Sequence, residues 1–185
     1  MRRTLTSAPR SRGFTFLEMV VAVAVLAIGA AVVLPNFQRV VFSQRVSACA
    51  NELIAAFQMG RMEAVRRRTR VVACPSLNGT ACAGTDWLRT IVFVDTDRNG
   101  DRASTEPVLR AVDFRDMGVR VTQTAGSTPA RVVFTPSGFQ RSGQSGGPLP
   151  ALRVCSPRAL ERDSVVTVGL GSSAAAKGTG GPCNG

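Results

Sequence analysis

The sequence predicts an α+β fold, with one long N-terminal helix packed on antiparallel β-sheets. Two observations carry this prediction. Apolar residues recur at helical spacing well beyond an apolar run near the N-terminus, and the rest of the chain is made of short apolar or alternating runs separated by turn residues. Roughly 115 residues follow the helix, which is enough for one small β domain.

The helix is predicted to begin in an apolar run over residues 14–34, which is 34 − 13 = 21 residues long. As a helix it would measure about 31 Å, close to the bilayer core of about 30 Å. Helical spacing continues to a predicted end near Arg68, so this second part should pack one face on the globular domain. That face carries Phe42, Val46, Cys49, Leu53, Phe57 and Gly60.

Seven segments read as strands because they are apolar or alternate with period two. They are 70–74, 87–94, 107–114, 119–123, 131–135, 152–155 and 165–168. Turn signals separate them, among them Asn78-Gly79, Asn99-Gly100 and Pro136-Ser137-Gly138. Antiparallel pairing of these segments gives the sheets.

Charge at the N-terminus predicts membrane orientation. Four arginines precede the apolar run, at positions 2, 3, 10 and 12, so the positive-inside rule places residues 1–13 in the cytoplasm and everything after Pro35 across the membrane. Glu18 is the single acid within the run. An acid in a membrane segment is costly and indicates a function that needs a partner.

The residues Gly13, Phe14, Thr15, Leu17 and Glu18, preceded by the basic arm, resemble the processing site of type IV prepilins and pseudopilins. The resemblance implies cleavage after Gly13 by a prepilin peptidase and N-methylation of Phe14. It further implies assembly with other pilins into a filament, in which Glu18 meets the new amino terminus of a neighbour. Such a pair would fix the register of assembly more than it would add stability.

Two other interpretations of the N-terminus stay open. The run could be a plain signal anchor in which Glu18 is incidental, or a secretory signal cut near Ala30 or Ala31. Both leave the spacing of Gly13, Phe14 and Glu18 unexplained.

Three further segments resemble the FimT/GspH branch of minor pilins and pseudopilins: Cys74-Pro75-Ser76, residues 91–101 and residues 106–110. The resemblance implies a type IV pilin-like fold and a structural subunit that initiates or caps a type IV pilus or a type II secretion pseudopilus. It divides the chain into a leader (1–13), a transmembrane assembly helix (14–35), its periplasmic continuation (36–68), a globular β domain (69–168) and a Gly/Ser-rich tail (169–185). The protein would be a single-pass inner-membrane protein with a periplasmic C-terminal domain.

Five cysteines in an extracytoplasmic chain favour disulfides. Cys49 lies on the helix stripe and is predicted to be a buried free thiol. Among the other four we prefer Cys74 with Cys82 and Cys155 with Cys183, although four cysteines allow three pairings.

Residues 95–106 match the calcium-loop pattern D-x-[DN]-x-[DN]-G-x5-E at every position. The candidate ligands are Asp95, Asp97, Asn99, Asp101 and Glu106. Flanking strands in place of helices favour an ordinary hairpin loop, so no cofactor is firmly predicted and calcium stays an open hypothesis.

The formal charge is +11, and removal of the four leader arginines leaves 11 − 4 = +7. Such a domain could attract DNA, which makes a DNA-uptake tip module the alternative function. The candidate contacts are Arg66, Arg67, Arg68, Arg70, Arg158 and Arg162. A solvated helix end, favoured by the helix dipole, is the alternative explanation of the arginines at the end of the helix. The tail, with Lys177 as its only cation, lacks the Gly-Arg-x-Arg motif of DNA-binding FimT proteins.

The composition argues against an enzyme. The chain has no histidine, which excludes Ser-His-Asp and Cys-His nucleophile systems and histidine zinc ligands. Phosphate-binding glycine motifs are missing as well.

Overall fold

The computed structural model describes residues 13–125, 130–143, 148–155, 164–169 and 171–177. For residues 32–36, 38, 39, 125 and 173–177 it describes the backbone only. The chain divides into two compact units, residues 1–38 and residues 39–185. Within the described residues, no helical segment combines the length and the apolar character that crossing a membrane requires.

A single helix, α1, spans Phe16–Arg67, and it ends one residue before the predicted position. Arg68 follows in the left-handed conformation with φ of 52°, and the Thr69 N–H donates to the Ala64 carbonyl. These contacts close the last helical turn.

Within the described part of the chain, nine strands form two antiparallel sheets. In the first sheet the order is β3-β2-β1-β5-β6, and in the second it is β4-β7-β8-β9. The strands are β1 (Arg70–Pro75), β2 (Arg89–Asp95), β3 (Val108–Asp113), β4 (Arg120–Ala125), β5 (Val132–Phe134), β6 (Gln140–Ser142), β7 (Ala151–Cys155), β8 (Ser164–Val168) and β9 (Ser173–Lys177). A 3₁₀ turn at Arg115–Met117 precedes β4. The α+β prediction is confirmed.

All seven predicted strands are present, with ends shifted by up to two residues. The sequence reading missed two strands, β6 and β9. Strand β9 lies inside the segment 169–185, which was expected to be only a tail. It pairs antiparallel with β8, so that Ser173 lies opposite Val168 and Lys177 opposite Ser164.

The principal core lies between residues 46–64 of α1 and the two sheets. Val46, Cys49, Leu53 and Phe57 of the predicted stripe are at most 2% exposed, and Gly60 is buried with them. Phe57 contacts the Trp87 ring edge to face at 5.9 Å between centroids. The predicted packing face of the helix is therefore confirmed.

Strands β1 and β2 at the centre of the first sheet are buried on both faces. Along β1, Val71 and Ala73 join the principal core, whereas Val72 and Cys74 point to the opposite face, as strand alternation requires. There they form a second apolar cluster with Ile91, Phe93 and Val133. The loops after β1 and β2 therefore have apolar surface to cover.

Candidate functional sites at the helix start and in the acidic loop

Thr15 caps the start of α1. Its Oγ1 accepts a hydrogen bond from the Glu18 N–H at 3.3 Å, and the Met19 N–H donates to the Thr15 carbonyl at 3.2 Å. Thr15 and Glu18 thus occupy the N-cap and N3 positions of the helix, and the Thr-x-x-Glu spacing is a helix-start signal that was not used in the sequence prediction. The exposed Glu18 also lies in the first turn, where the helix dipole favours a negative charge.

The first turns of α1 expose large apolar side chains. Phe14 is 84% exposed and Leu17 75%. More than half of each side-chain surface is also exposed for Phe16, Met19, Val20, Val21, Val23, Val25, Leu26 and Ile28. Apolar surface of this kind marks a site of interaction with another protein or with a membrane.

The predicted arginine cluster is largely engaged within the protein. Glu63 accepts hydrogen bonds from Arg66 Nε at 3.0 Å, Arg66 Nη2 at 2.7 Å and Arg67 Nε at 2.6 Å. The hydrogen bonds from Arg66 and then Arg67 lower the pKa of Glu63 to about 2. Arg158 and Arg162 lie outside the described residues, so DNA contact stays a prediction.

The loop between β2 and β3 gathers three carboxylates. Asp95 ends β2 and is fully buried, Glu106 is 4% exposed, and Asp97 is exposed. One oxygen from each lies within 4.8 Å of the others. The structure therefore brings together three of the five predicted calcium ligands.

Backbone amides bind the Glu106 carboxylate. Its Oε1 accepts from the Thr96 N–H at 2.6 Å and the Asp97 N–H at 3.4 Å, and its Oε2 accepts from the Ala103 N–H at 3.0 Å. These bonds connect the two ends of the loop, so Glu106 organises the loop backbone whether or not a cation binds.

Asp95 faces Arg70 across the sheet, because the two residues are register partners in β1 and β2. Arg70 Nε and Asp95 Oδ2 are 3.3 Å apart, which makes an ion pair, but neither atom has a hydrogen bond to any of the described residues. Asp95 Oδ1 accepts a long hydrogen bond from the Gly100 N–H at 3.4 Å. Burial is the main cause that raises the pKa of Asp95 above its ordinary value.

The other two predicted ligands shape the loop. The Asn99 N–H donates to Asp97 Oδ1 at 3.1 Å, and Asn99 Oδ1 accepts from the Asp101 N–H at 2.6 Å. Asp101 pairs with Arg131 and is not part of the carboxylate group. The loop is flanked by strands, as the sequence analysis expected.

The disulfide between Cys74 and Cys82 is present as predicted. Cys155 is disulfide-bonded too, but its predicted partner Cys183 lies outside the described residues, so that pairing stays a prediction. Cys49 is a buried free thiol, and burial raises its pKa to about 12. Such a thiol is inert at neutral pH.

Comparison with protein families is decisive for the main part of the chain. The family described as type II transport protein GspH matches residues 50–171, from α1 into the second sheet. The chain belongs to the GspH family. A second family description, the prokaryotic N-terminal methylation motif, matches residues 8–34 of this GspH-family chain and includes Gly13, Phe14 and Glu18. No significant match to a curated protein or to a solved structure was found.

The two matches confirm the resemblance drawn from the sequence. This GspH-family protein is of the pseudopilin or minor-pilin type, with a role in secretion or pilus assembly. Proteins of this type are structural subunits of filaments and associate with other pilins.

Proposed function

We propose that the protein is made as an inner-membrane precursor with residues 1–13 in the cytoplasm and its GspH domain in the periplasm. A prepilin peptidase cleaves after Gly13, and Phe14 becomes the methylated N-terminus. The mature subunit then enters a pilus or pseudopilus through the first part of α1. It initiates or caps that filament.

The observation that carries this proposal is the methylation-motif match over residues 8–34, on the N-terminal side of the GspH match that begins at residue 50. The exposed apolar side chains from Phe14 to Ile28 supply the surface that lipid, and later neighbouring subunits, would cover. Four arginines in the leader support the cytoplasmic placement.

Glu18 is proposed to pair with the amino group of Phe14 on the next subunit. Both residues lie at the exposed N-terminal end of α1. In apolar surroundings a lone carboxylate is strongly unfavourable, so a subunit in the wrong register would leave this charge unpaired. Glu18 therefore selects one register of assembly.

Substitution of the acid tests this step. Glu18→Gln keeps the shape of the side chain and removes its charge, so the variant should be cleaved normally but should remain in the membrane and be lost from filaments. Glu63→Gln makes the same change further along α1 and should be incorporated like the unmodified protein. Sheared filaments and membranes would be compared by immunoblotting. Normal incorporation of Glu18→Gln would refute the pairing.

DNA capture at a filament tip is the second candidate and rests on charge alone. Arg66 and Arg67 are held by Glu63, and Arg70 pairs with Asp95, so much of this positive charge is balanced within the domain. We therefore rank assembly first.

A further inference from the structure

We propose that the loop between β2 and β3 binds one calcium ion through Asp95, Asp97 and Glu106. Two oxygens that share a Ca²⁺ ion at about 2.4 Å can be at most about 4.8 Å apart. One oxygen from each of the three carboxylates meets this limit. Independently of that geometry, their spacing along the chain fits the ligand pattern of a calcium loop.

A second observation points to a cation. Asp95 is 0% exposed, and its Oδ2 accepts no hydrogen bond from the part of the chain that the structure describes. Arg70 is the ion-pair partner at 3.3 Å, but the Arg70 Nε atom also lacks a hydrogen bond. The ion pair with Arg70 therefore balances the charge of this buried oxygen without a hydrogen bond, and a bound ion is one arrangement that would complete its coordination.

The charges and lone pairs of the loop admit a divalent ion. Three carboxylates contribute −3 and Arg70 contributes +1, which leaves −2 to balance Ca²⁺. Three N–H groups bind Glu106, whereas a carboxylate offers about four acceptor positions. Exposed Asp97 opens the site to solvent, so water can supply further ligands toward the six to eight that calcium takes.

The other basic residues in or beside the loop contact other groups or are exposed to solvent. Arg131 pairs with Asp101 and donates to the Gly100 carbonyl, and Arg98 is exposed. Arg102 donates to the carbonyl oxygens of Glu106 and Thr80.

This last contact gives calcium a structural role. Through Arg102, the β2–β3 loop is joined to the loop that the Cys74–Cys82 disulfide closes. A bound ion would fix the first loop, and that loop would hold the second in place. Calcium binding should therefore stabilise the folded domain.

Calcium titration of the full-length protein in detergent, after treatment with EGTA, tests the proposal. We expect a Kd of about 10⁻⁴–10⁻³ M by calorimetry. At ten times that concentration the melting temperature should rise by about 3–6 °C. Mg²⁺ at equal ionic strength should bind at least tenfold more weakly, because it demands a stricter octahedral geometry.

Asp97→Asn is the informative variant, because Asp97 is exposed and its loss should not unfold the loop. It should weaken calcium binding at least tenfold while melting normally without calcium. Asp116→Asn removes an exposed carboxylate elsewhere and should keep the original Kd. The proposal is overturned if calcium produces neither heat nor a melting shift, if Mg²⁺ binds equally well, or if Asp97→Asn binds as tightly as the unmodified protein.

Discussion

Glu63 shows how neighbouring residues can lower the pKa of a half-buried surface acid. On α1, Arg66 and Arg67 follow Glu63 by three and four residues, and both form ion pairs with it. Its spacing is visible in the sequence, since residues three and four apart are neighbours on a helix. The prediction of these arginines as DNA contacts rested on their charge and did not include Glu63 as their partner.

Glu63→Gln should lower the melting temperature modestly at neutral pH, by about 1–3 °C, because exposed ion pairs contribute little. The folded pKa of about 2 lies below the unfolded value of about 4.3. The stabilisation is therefore fully present above about pH 4.3 and is lost as the pH falls toward 2. Melting curves of both proteins across this range check the prediction. A difference that is as large at pH 2 as at pH 7 would contradict it.

Only part of the environment of Asp95 could be predicted from the sequence. Its place in the calcium-loop pattern was visible in the sequence, and so was its position at a strand end. Its pairing with Arg70 depends on the register of β1 against β2, which no local pattern states. Burial, the main cause of its raised pKa, follows from the same packing.

At the scale of elements, Gly60 sets the distance between α1 and the first sheet. A Cβ at this position would lie 2.9 Å from Phe134 Cε2 and 3.1 Å from Val92 Cγ1. Both neighbours are fully buried, so they have little room to move. Glycine here permits close packing of helix on sheet despite its low helix propensity.

Gly60→Ala should therefore destabilise the domain by about 1–3 kcal/mol, although alanine normally favours a helix interior. Gly29→Ala is the matched control in the same helix, since a Cβ there meets nothing within 4 Å. Urea unfolding of both variants measures the effect. A Gly60→Ala protein as stable as the control would show that the core can relax around the added methyl group.

The two strands that were not predicted, β6 and β9, lack the hydrophobic periodicity by which strands are recognised in a sequence. In β6 the buried residues are Gln140 and Ser142 and the exposed one is Arg141, so the strand has no apolar signal. Strand β9 reads Ser-Ala-Ala-Ala-Lys, a composition of low strand propensity, and it exists by pairing with β8. The seven strands with apolar patterns were all predicted, because in them the core and the local signal agree.

At the scale of the whole molecule, the two family matches cover different parts of the chain. The methylation motif covers residues 8–34, and the GspH match begins at residue 50. The sequence revealed the first region from a short motif and its hydropathy. The second was recognised only in outline, since its double-faced sheet arises from long-range packing.

The mature N-terminus tests the proposed processing most directly, because cleavage after Gly13 would leave the apolar run of residues 14–34 on the mature protein. Mass spectrometry of the protein purified from its membrane or filament should find 185 − 13 = 172 residues that begin with Phe14. The N-terminal peptide should be heavier by about 14 Da, the mass of one methyl group in place of hydrogen. A retained leader, or a first residue near Ala30, would contradict the account.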